Sequence, residues 1–194
     1  MKDLPTEAQR RRAIAWATAL TTNTSLEPQA YERQLLERYA LGELDLEQVL
    51  QQLDTRVQHV LYRSQAVHPF GEQELTALLE ESRAWNQVHG ITGLLCYNEG
   101  HFVQLIEGAP EQVYQLYARI QRDPRHRQVT TLSDAAEAQR FFADWQMAFV
   151  NAENHDFYWL LTYLEAREQR LVLPHTPITE PHLLTLLTAF QHVR

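Results

Sequence analysis

The chain has 194 residues, of which 44% are hydrophobic, and this is enough for one domain of ordinary size with helical extensions. Its formal net charge of −8 disfavours a protein that grips nucleic acid through phosphate contacts, so no direct nucleic-acid binding is expected. The longest apolar runs are too short to cross a bilayer and the N-terminus lacks the apolar core of a signal peptide, which predicts a cytoplasmic protein without a membrane partner.

The first 55 residues are predicted to form a helical N-terminal extension of three short helices. Apolar residues recur at helical spacing, first as Ala13, Ile14, Ala17 and Leu20, and then as Tyr31, Leu35 and Tyr39. Gly42 follows the second series as a stop signal. Asp45, with Gln48 three residues later, resembles a capping box that opens the third helix.

Residues 56–150 alternate strands and helices in the order β-α-β-β-α-β-β. The strand HVLYRSQ is followed by a predicted helix from Glu72 to His89, with Gly90 as its C-terminal cap. A turn at Asn98-Glu99-Gly100 leads into the strand HFVQLIEG, and Pro110 opens a second helix. Because β-α-β-β-α-β is the ferredoxin-like order, the predicted class is α+β with a ferredoxin-like core.

Polar side chains interrupt the apolar pattern of this domain. Gln104 lies within the strand HFVQLIEG and needs partners, since an unpaired buried amide costs about 1–3 kcal/mol. On the first helix, Ser82 and Asn86 continue a stripe of leucines, which is typical of the rim of a ligand pocket. Taken alone, Asn86 also fits a local hydrogen bond near the helix end.

The last strand is predicted over residues 141–150. Trp145 and Met147 alternate there, so they are expected to share one sheet face with Phe149. An aromatic residue and a methionine in this pattern usually fill a core. The single cysteine, Cys96, lies in the run ITGLLCYN and is interpreted as a buried small hydrophobe.

Residues 151–194 are predicted to form a C-terminal helical region. One helix is expected over residues 157–170 and another over residues 181–193. The segment between them, VLPHTPITEPH, is broken by prolines. Helical appendages at both ends carry apolar residues, and these predict a homo-oligomer.

Five segments in a fixed order carry a resemblance to a known family. They are LYRS, ESRAWNQVHGITGLLCYNEG, HFVQLIEG, RDPRH and QRFFADWQMAF, and together they span about half of the chain. The region from about 58 to 150 resembles the BLUF family, blue-light sensors that use FAD. The resemblance implies that a fifth strand joins the ferredoxin-like core and that the flavin lies between the two helices on one sheet face.

The resemblance also implies roles for individual residues. Tyr62 would be the redox-active tyrosine, Gln104 the switching amide and Asn86 the amide at the flavin edge. The other cofactor-binding positions would be Ser82, Phe102, Ile120, Arg125 and His126. The last two would lie near the polar tail of the cofactor, although as a lone pair they also read as surface charge. FAD is the expected cofactor, and the sequence does not separate it from FMN or riboflavin as substitutes.

The implied mechanism makes the flavin a chromophore, with no catalytic residue and no metal. A photoexcited flavin would take an electron and a proton from Tyr62, and rearrangement of the Gln104 hydrogen bonds would leave a slightly red-shifted flavin. In similar proteins Trp145 and Met147 would relay the change, and helices like those at the C-terminus pack on the free sheet face. Because no output module follows, a downstream signalling protein is the expected partner.

One residue departs from the family pattern. Trp85 precedes Asn86, where many relatives carry asparagine or histidine. The departure puts a polar contact on one side of the pocket in doubt. An indole there would stack on a ring or cover the groove.

Two readings of another class remain open. An acylphosphatase-like hydrolase would share the ferredoxin-like scaffold, but the sequence shows no phosphate loop, no metal-ligand spacing and no Ser-His-Asp order. The histidines of this chain at 59, 68, 89, 101 and 126 are scattered, and most are interpreted as surface or strand-end residues. The alternative to a photoreceptor is a light-independent binding protein with a structural flavin site.

The reading as a light-independent binding protein draws on residues of about 8–54. The stretch SLEPQAYERQLLERYALGELDLEQVL is similar to VbhA-type small antitoxins, which inhibit Fic-type AMP transferases. The inhibitory Ser/Thr-x-x-x-Glu-Gly/Asn word is not intact, since Asn23 and Pro28 occupy its ends. An amphipathic cap or a dimerisation element explains the same helices.

Overall fold

The computed structural model describes residues 6–24, 26–168 and 178–191. The chain forms two compact units, one of residues 1–56 with 135–138 and the other of residues 57–134 with 139–194. None of the helices in the described part of the chain is long and apolar enough to cross a membrane.

The smaller unit contains the three predicted helices. They are α1 (Glu7–Thr21), α2 (Ala30–Leu41) and α3 (Leu46–Asp54). The predicted capping box is present, because the Asp45 carboxylate accepts the Gln48 N–H at 2.7 Å, and Gly42 ends α2 in the left-handed conformation. The apolar cluster of the smaller unit consists of Tyr31, Leu35, Tyr39, Leu44 and Val49. The apolar series predicted for α1 is helical but not buried.

The larger unit has the predicted β-α-β-β-α-β-β order. Its elements are β1 (Val57–Ala66), α4 (Glu72–His89), β2 (Thr92–Asn98), β3 (His101–Gly108), α5 (Pro110–Arg122), β4 (His126–Glu137, of which residues 135–137 are counted with the smaller unit), β5 (Ala148–Asn151), α6 (Asn154–Glu168) and α7 (Pro181–Gln191). The strands form one sheet in the order β4-β1-β3-β2-β5. This is the predicted ferredoxin-like α+β arrangement with a fifth strand added beside β2.

A tight hairpin joins β2 to β3 and sets the register of that pair. Glu99 and Gly100 both have positive φ, 41° and 87°, as a two-residue hairpin turn between right-twisted strands requires. The separate antiparallel pairing of β1 with β3 places Tyr62 directly opposite Gln104. These two residues are 42 positions apart in the sequence, and the pairing of the two strands makes them neighbours.

The sheet has two buried faces. The cavity face, defined by Val60, Tyr62 and Ile106, packs against leucines of α4 and against Val113 and Tyr117 of α5. The rear face is defined by sheet residues Leu61, Leu94, Cys96, Val103 and Leu105, and it packs against Phe157, Leu160 and Leu164 of α6 and against Leu183, Leu186 and Leu187 of α7. The predicted packing of the C-terminal helices on the free sheet face is therefore confirmed for the described residues. Residues 172–177 of the proline-broken segment lie outside the described ones.

The predicted last strand over 141–150 is wrong in extent. Only Ala148–Asn151 forms β5, which pairs with β2 in parallel. Residues 141–147, called here the crossing segment, do not continue this pairing, and their backbone groups form hydrogen bonds with other partners. Two of their N–H groups donate to the Glu107 carboxylate, and the carbonyl of Trp145 accepts the Gly93 N–H at 3.1 Å. Apolar residues do alternate in this stretch, but a strand also needs a regular ladder of backbone hydrogen bonds to its neighbour, and these groups do not form one.

His59 is not the surface or strand-end residue that the sequence suggested. Its side chain is 2% exposed, on the rear face, where its Nε2 lies 3.4 Å from a carboxylate oxygen of Glu107. Its ring makes an edge-on contact with Phe141, with centroids 4.5 Å apart. Burial lowers the pKa of His59 to about 4, so the ring is neutral at neutral pH.

Acidification is expected to destabilise the fold through His59. Because its folded pKa is depressed from an ordinary value of about 6.5, the unfolded chain binds the proton more readily, and stability falls as pH drops from about 7 towards 4. The loss between pH 7 and pH 5 should be about 2 kcal/mol. Glu107, whose pKa is raised by burial, acts with the opposite sign. Urea unfolding at both pH values, compared with His59→Phe, isolates the histidine: a pH dependence that is unchanged in the variant would contradict the assignment.

Candidate functional site

The Tyr62–Gln104 pair is buried in the middle of the cavity face. Tyr62 is 0% and Gln104 6% exposed, and the tyrosine hydroxyl donates a hydrogen bond to Gln104 Oε1. The Gln104 amide donates in turn to Met147 Sδ, at 3.5 Å. Burial raises the pKa of Tyr62 well above its ordinary value, so the hydroxyl keeps its proton throughout the physiological range. The partner that a buried glutamine requires is thus this tyrosine.

A cavity of about 480 Å³ lies between α4 and α5, above this pair. Tyr62, Leu95 and Gln104 line it from the sheet. The helices and the turn before β4 supply the rest: Leu78, Glu81, Ser82, Trp85, Asn86, Leu116, Arg119, Ile120, Arg122, Asp123, Pro124, Arg125 and His126. A cavity of this size, apolar with a few convergent polar groups, is typical of a small-molecule site.

Most of the predicted site residues meet at this cavity. Ser82, Asn86, Ile120, Arg125 and His126 line it together with Tyr62 and Gln104. Phe102 does not, although it was predicted to. It is 1% exposed and lies behind the lining, with its ring centroid 5.0 Å from that of His126. Phe102 shares the face of Gln104 but is two residues along the strand, where Phe70 and Tyr97 cover it.

Asn86 has one hydrogen-bonding atom to spare. Its Nδ2 donates to the Gln146 carbonyl at 2.5 Å, which ties α4 to the crossing segment. Its Oδ1 is buried and has no partner among the described residues. An unpaired buried acceptor is costly, so this atom is suited to a ligand donor in the cavity.

Trp85 lines the cavity and is itself packed against two side chains. The His89 ring stacks on the indole with centroids 3.8 Å apart, and the Arg119 guanidinium lies 3.8 Å over the same side chain. Both groups occupy ring surface of the indole on which a bound ring would otherwise stack. Its Nε1, buried and without a partner in the described part of the chain, is the group left to bond a ligand.

The charged end of the cavity is held by an ion-pair network. Arg125 pairs with Asp123 at 2.6 Å and with Glu81 at 3.0 Å. The guanidinium holds the pKa of Asp123 below its usual range. His126 Nδ1 lies 3.0 Å from the Ser64 hydroxyl, and burial lowers the pKa of this histidine. Arg125 is therefore preorganised by carboxylates at the cavity mouth, not a lone surface charge.

Met147 and Trp145 do not share a face. Met147 is 2% exposed on the cavity face, in contact with Gln104, whereas Trp145 is 50% exposed. The Trp145 ring meets His182 of α7 edge-on, with centroids 5.4 Å apart. The prediction of a shared face assumed strand geometry, and both residues precede β5. No three His, Cys, Asp or Glu side chains of the described residues come together as a metal site.

Residues 57–148 match the family model of BLUF, described as sensors of blue light using FAD. A photoactivated adenylate cyclase subunit beta-like protein from Euglena gracilis is 36% identical over 101 residues, which are 52% of this chain and 12% of that protein. The blue light- and temperature-regulated antirepressor BluF of Escherichia coli is 35% identical over 83 residues, 42% of this chain and 21% of that protein. The chain thus covers only a small part of the curated relatives that it matches.

Three solved structures, one of them of a BLUF protein, are similar in fold. The dark-state structure of the BLUF protein BlrB has a TM-score of 0.51 at 26% identity, covering 70% of this chain and 98% of BlrB. The photo-activated state of BlsA has a TM-score of 0.50 at 26% identity, with 71% and 94% covered. A bacterial light-regulated adenylyl cyclase has a TM-score of 0.50 at 27% identity, with 59% and 35% covered.

Proposed function

Because residues 57–148 form a BLUF domain, a blue-light-sensing domain that uses FAD, we propose that this chain is a photoreceptor in which Tyr62 and Gln104 form the light-driven switch. The observation that supports it most directly is the hydrogen-bonded Tyr62–Gln104 pair in the lining of a 480 Å³ cavity. No separate enzyme activity is proposed. The flavin acts as chromophore.

The cavity fits the isoalloxazine ring of a flavin. Aliphatic side chains such as Leu78, Leu95 and Ile120 suit its planar apolar body. The unpartnered Asn86 Oδ1 and Trp85 Nε1 offer one acceptor and one donor for the polar edge of the ring. Arg125 at the mouth suits the negatively charged tail of FAD. When bound and excited by blue light, the oxidised ring is a strong electron acceptor.

Tyr62 is positioned to be the electron and proton donor. Its phenol is protonated, because burial raises its pKa, and its hydroxyl proton already lies in a hydrogen bond to Gln104 Oε1. Electron loss makes a phenol strongly acidic, so the proton would follow along that bond, and the electron and the proton would both return to Tyr62 when the transfer reverses. Gln104 therefore carries the proton path as well as the hydrogen-bond pattern that the chromophore experiences.

Gln104 converts this transfer into a lasting rearrangement. Its amide carries a donor and an acceptor, so a turn about the last torsion exchanges what it presents to Tyr62 and to Met147 without backbone motion. The present bond to Met147 Sδ, 3.5 Å long, uses a weak acceptor and is cheap to break. The rearranged amide would then present its carbonyl to Met147, and that side chain must respond.

The proposed signal route runs from Met147 to the C-terminal helices. Met147 and Trp145 belong to the crossing segment, and Trp145 contacts His182 of α7. A change in that segment therefore reaches a helix packed on the rear face, and residues 151–194 act as the output region towards a separate signalling protein. Equal hydrogen exchange of α7 in the dark and in the light would contradict this route.

Self-association is part of the proposal. In the N-terminal unit Trp16 is 72%, Leu20 67% and Leu26 75% exposed, and large apolar groups in such a state favour contact with a second protein surface. Residues 1–55 are accordingly proposed as an interaction element.

Removal of the Asn86 amide is expected to weaken flavin binding. Asn86→Leu keeps the size of the side chain but removes the free acceptor and leaves an apolar group at the polar edge of the ring, so the Kd for FAD should rise about 10–100-fold. Titration of apoprotein with FAD, followed by flavin fluorescence, measures this. Asn98→Leu is the matched control: Asn98 is equally buried but bonds Ala152 and Asn154 away from the cavity. It should lower stability and leave the Kd unchanged; a comparable loss of affinity in both variants would contradict a direct contact.

The proposal is tested by the absorption spectrum of the purified protein in the dark and immediately after blue light. A yellow protein is expected, whose flavin bands shift slightly to the red and relax back in the dark. Bound flavin without a shift would favour a static, light-independent role. A colourless protein that takes up no flavin would overturn the proposal.

A further inference from the structure

Glu107 is a fully buried carboxylate on the opposite side of β3 from Gln104. It is 0% exposed, and it takes no part in the cavity. Its Oε1 accepts the Phe142 N–H at 2.7 Å and the Thr92 hydroxyl at 2.9 Å. Its Oε2 accepts the Phe141 N–H at 2.8 Å. A carboxylate in an apolar interior is costly, and these three donors offset that cost.

Arg140 completes the network on the backbone side. Its guanidinium donates to the Glu107 carbonyl at 3.0 Å, to the Gly90 carbonyl at 2.6 Å and to Thr92 Oγ1 at 2.8 Å. Burial raises the pKa of the Glu107 carboxyl, while its hydrogen bonds and Arg140 oppose the rise. The start of the crossing segment is thus fastened at once to β2, to β3 and to the end of α4.

The other end of the crossing segment is held differently. The Met147 carbonyl accepts from Arg83 at 3.2 Å and the Gln146 carbonyl from Asn86. The Met147 thioether accepts from Gln104, the proposed switch. This end therefore depends on side chains that line the cavity or contact its lining, and one of them changes its bonding when light is absorbed.

The crossing segment passes from one face of the sheet to the other. Phe142 belongs to the rear-face cluster with α6 and α7, whereas Met147 belongs to the cavity-face cluster. Glu107 and Gln104, three residues apart on β3, therefore contact the two ends of the same segment on opposite faces. A push on one end changes the shape of a segment only if the other end is fixed.

We propose that Glu107 is the positioning residue that anchors the start of the crossing segment, so that rearrangement of Gln104 displaces its end and moves Trp145 against α7. The role rests on the proposed photoreceptor function. It assigns Glu107 to transmission and not to photochemistry, since its contacts are to the backbone of Phe141 and Phe142 and not to Tyr62 or the cavity. Without the Glu107 carboxylate, the start of the segment would be held less firmly, and less of the displacement of Met147 would reach Trp145, whose carbonyl accepts the Gly93 N–H.

Glu107→Gln in the full-length, flavin-loaded protein separates the two roles. Glutamine keeps the size but has one carbonyl oxygen, and its NH₂ must face one of the two N–H groups that the carboxylate accepts. In the dark, hydrogen exchange at Phe141 or Phe142 should become about tenfold faster. The amplitude of the light-induced red shift should stay as in the wild type, while the light-minus-dark difference in exchange over residues 143–151 and α7 should be lost.

Two further variants control this experiment. Glu165→Gln alters a carboxylate of α6 that pairs with Arg63 at 3.2 Å and should leave every readout unchanged. Thr92→Val removes one of the three donors to Glu107 and keeps the size of the side chain, so it should give a smaller change in the same direction. It also serves where Glu107→Gln fails to fold.

Each outcome decides a different point. A wild-type light-minus-dark difference in Glu107→Gln overturns the anchor, and so does loss of the red shift itself, since Glu107 would then act on the switch. If the wild type shows no red shift, the photoreceptor proposal fails. The dark exchange of Phe141 and Phe142 still tests the anchor by itself: unchanged rates in the variant would overturn it.

Discussion

Gln104→Leu is expected to abolish the light-induced red shift of the flavin bands while leaving the flavin bound. Leucine is close to glutamine in size and fills the same place in the sheet, but it has neither donor nor acceptor. The Tyr62 hydroxyl then loses its acceptor and the chromophore loses the group whose rearrangement it would register. The stranded hydroxyl should cost about 1–3 kcal/mol of unfolding free energy. Light-minus-dark difference spectra and urea unfolding measure the two effects.

Gln58→Leu is the matched control for this variant. Gln58 is the other buried glutamine of the central strands, 6% exposed, and its amide donates to Asp134 at 2.6 Å. It does not line the cavity. The same substitution should therefore lower stability and leave the spectral change intact. A red shift of wild-type size in Gln104→Leu would refute the assignment of the switch.

Tyr62→Phe is expected to remove the light response by removing the donor. Phenylalanine keeps the ring packed under the cavity but has no proton to give and is far harder to oxidise. The red shift should disappear, and flavin fluorescence should rise several-fold because electron transfer no longer competes with emission. Gln104 Oε1 loses its donor, at a cost of about 1–3 kcal/mol. Time-resolved fluorescence with the difference spectrum tests this expectation.

Tyr117→Phe distinguishes Tyr62 from its nearest rival. The Tyr117 ring centroid lies 5.3 Å from that of Tyr62, so this tyrosine is also close enough to be considered as a donor. Its hydroxyl, however, pairs with the Thr131 hydroxyl at 2.8 Å and not with Gln104. The variant should keep the red shift. Loss of the shift in Tyr117→Phe with retention in Tyr62→Phe would reverse the assignment.

Local sequence signals predicted the regular elements well. The helix over Glu72–His89 has the predicted bounds, because a leucine stripe and a glycine cap both act within a few residues of the chain. The hairpin at Glu99-Gly100 and the start of α5 at Pro110 rest on equally local chemistry. Along α5, Val113 and Tyr117 are buried, while Leu116 and Ile120 are half-buried along the cavity.

The errors fall where a residue's environment comes from distant parts of the chain. The apolar alternation of 141–150 fits a strand and also a segment that crosses the sheet edge. The two are distinguished by the backbone N–H groups of Phe141 and Phe142, which donate to the Glu107 carboxylate. His59 carries no local sign of burial; it is covered by Phe141, 82 residues later, and by Glu107. Phe102 lies on the same sheet face as Gln104 but two residues along the strand, outside the cavity lining.

Trp85 is another residue whose surroundings could not be predicted from the sequence. As a departure from the family pattern it was recognisable in the sequence, with the expectation that its indole stacks on a ring or covers the groove. Nothing in the sequence indicated that Arg119 of α5 and His89 of α4 pack on this indole. No spacing rule relates a residue on one helix to a cation on another.

The sequence by itself determined the order of elements, the ferredoxin-like class and, through five words in a fixed order, the family with its flavin. These depend on short-range propensities, periodicity and motif identity, which are written along the chain. Only the tertiary structure decided which sheet faces Phe142 and Met147 meet, that His89 and Arg119 pack on Trp85, and that Gln104 and Glu107 contact opposite ends of one segment. Those features depend on strand register and packing across the sheet, where a shift of one residue exchanges the two faces.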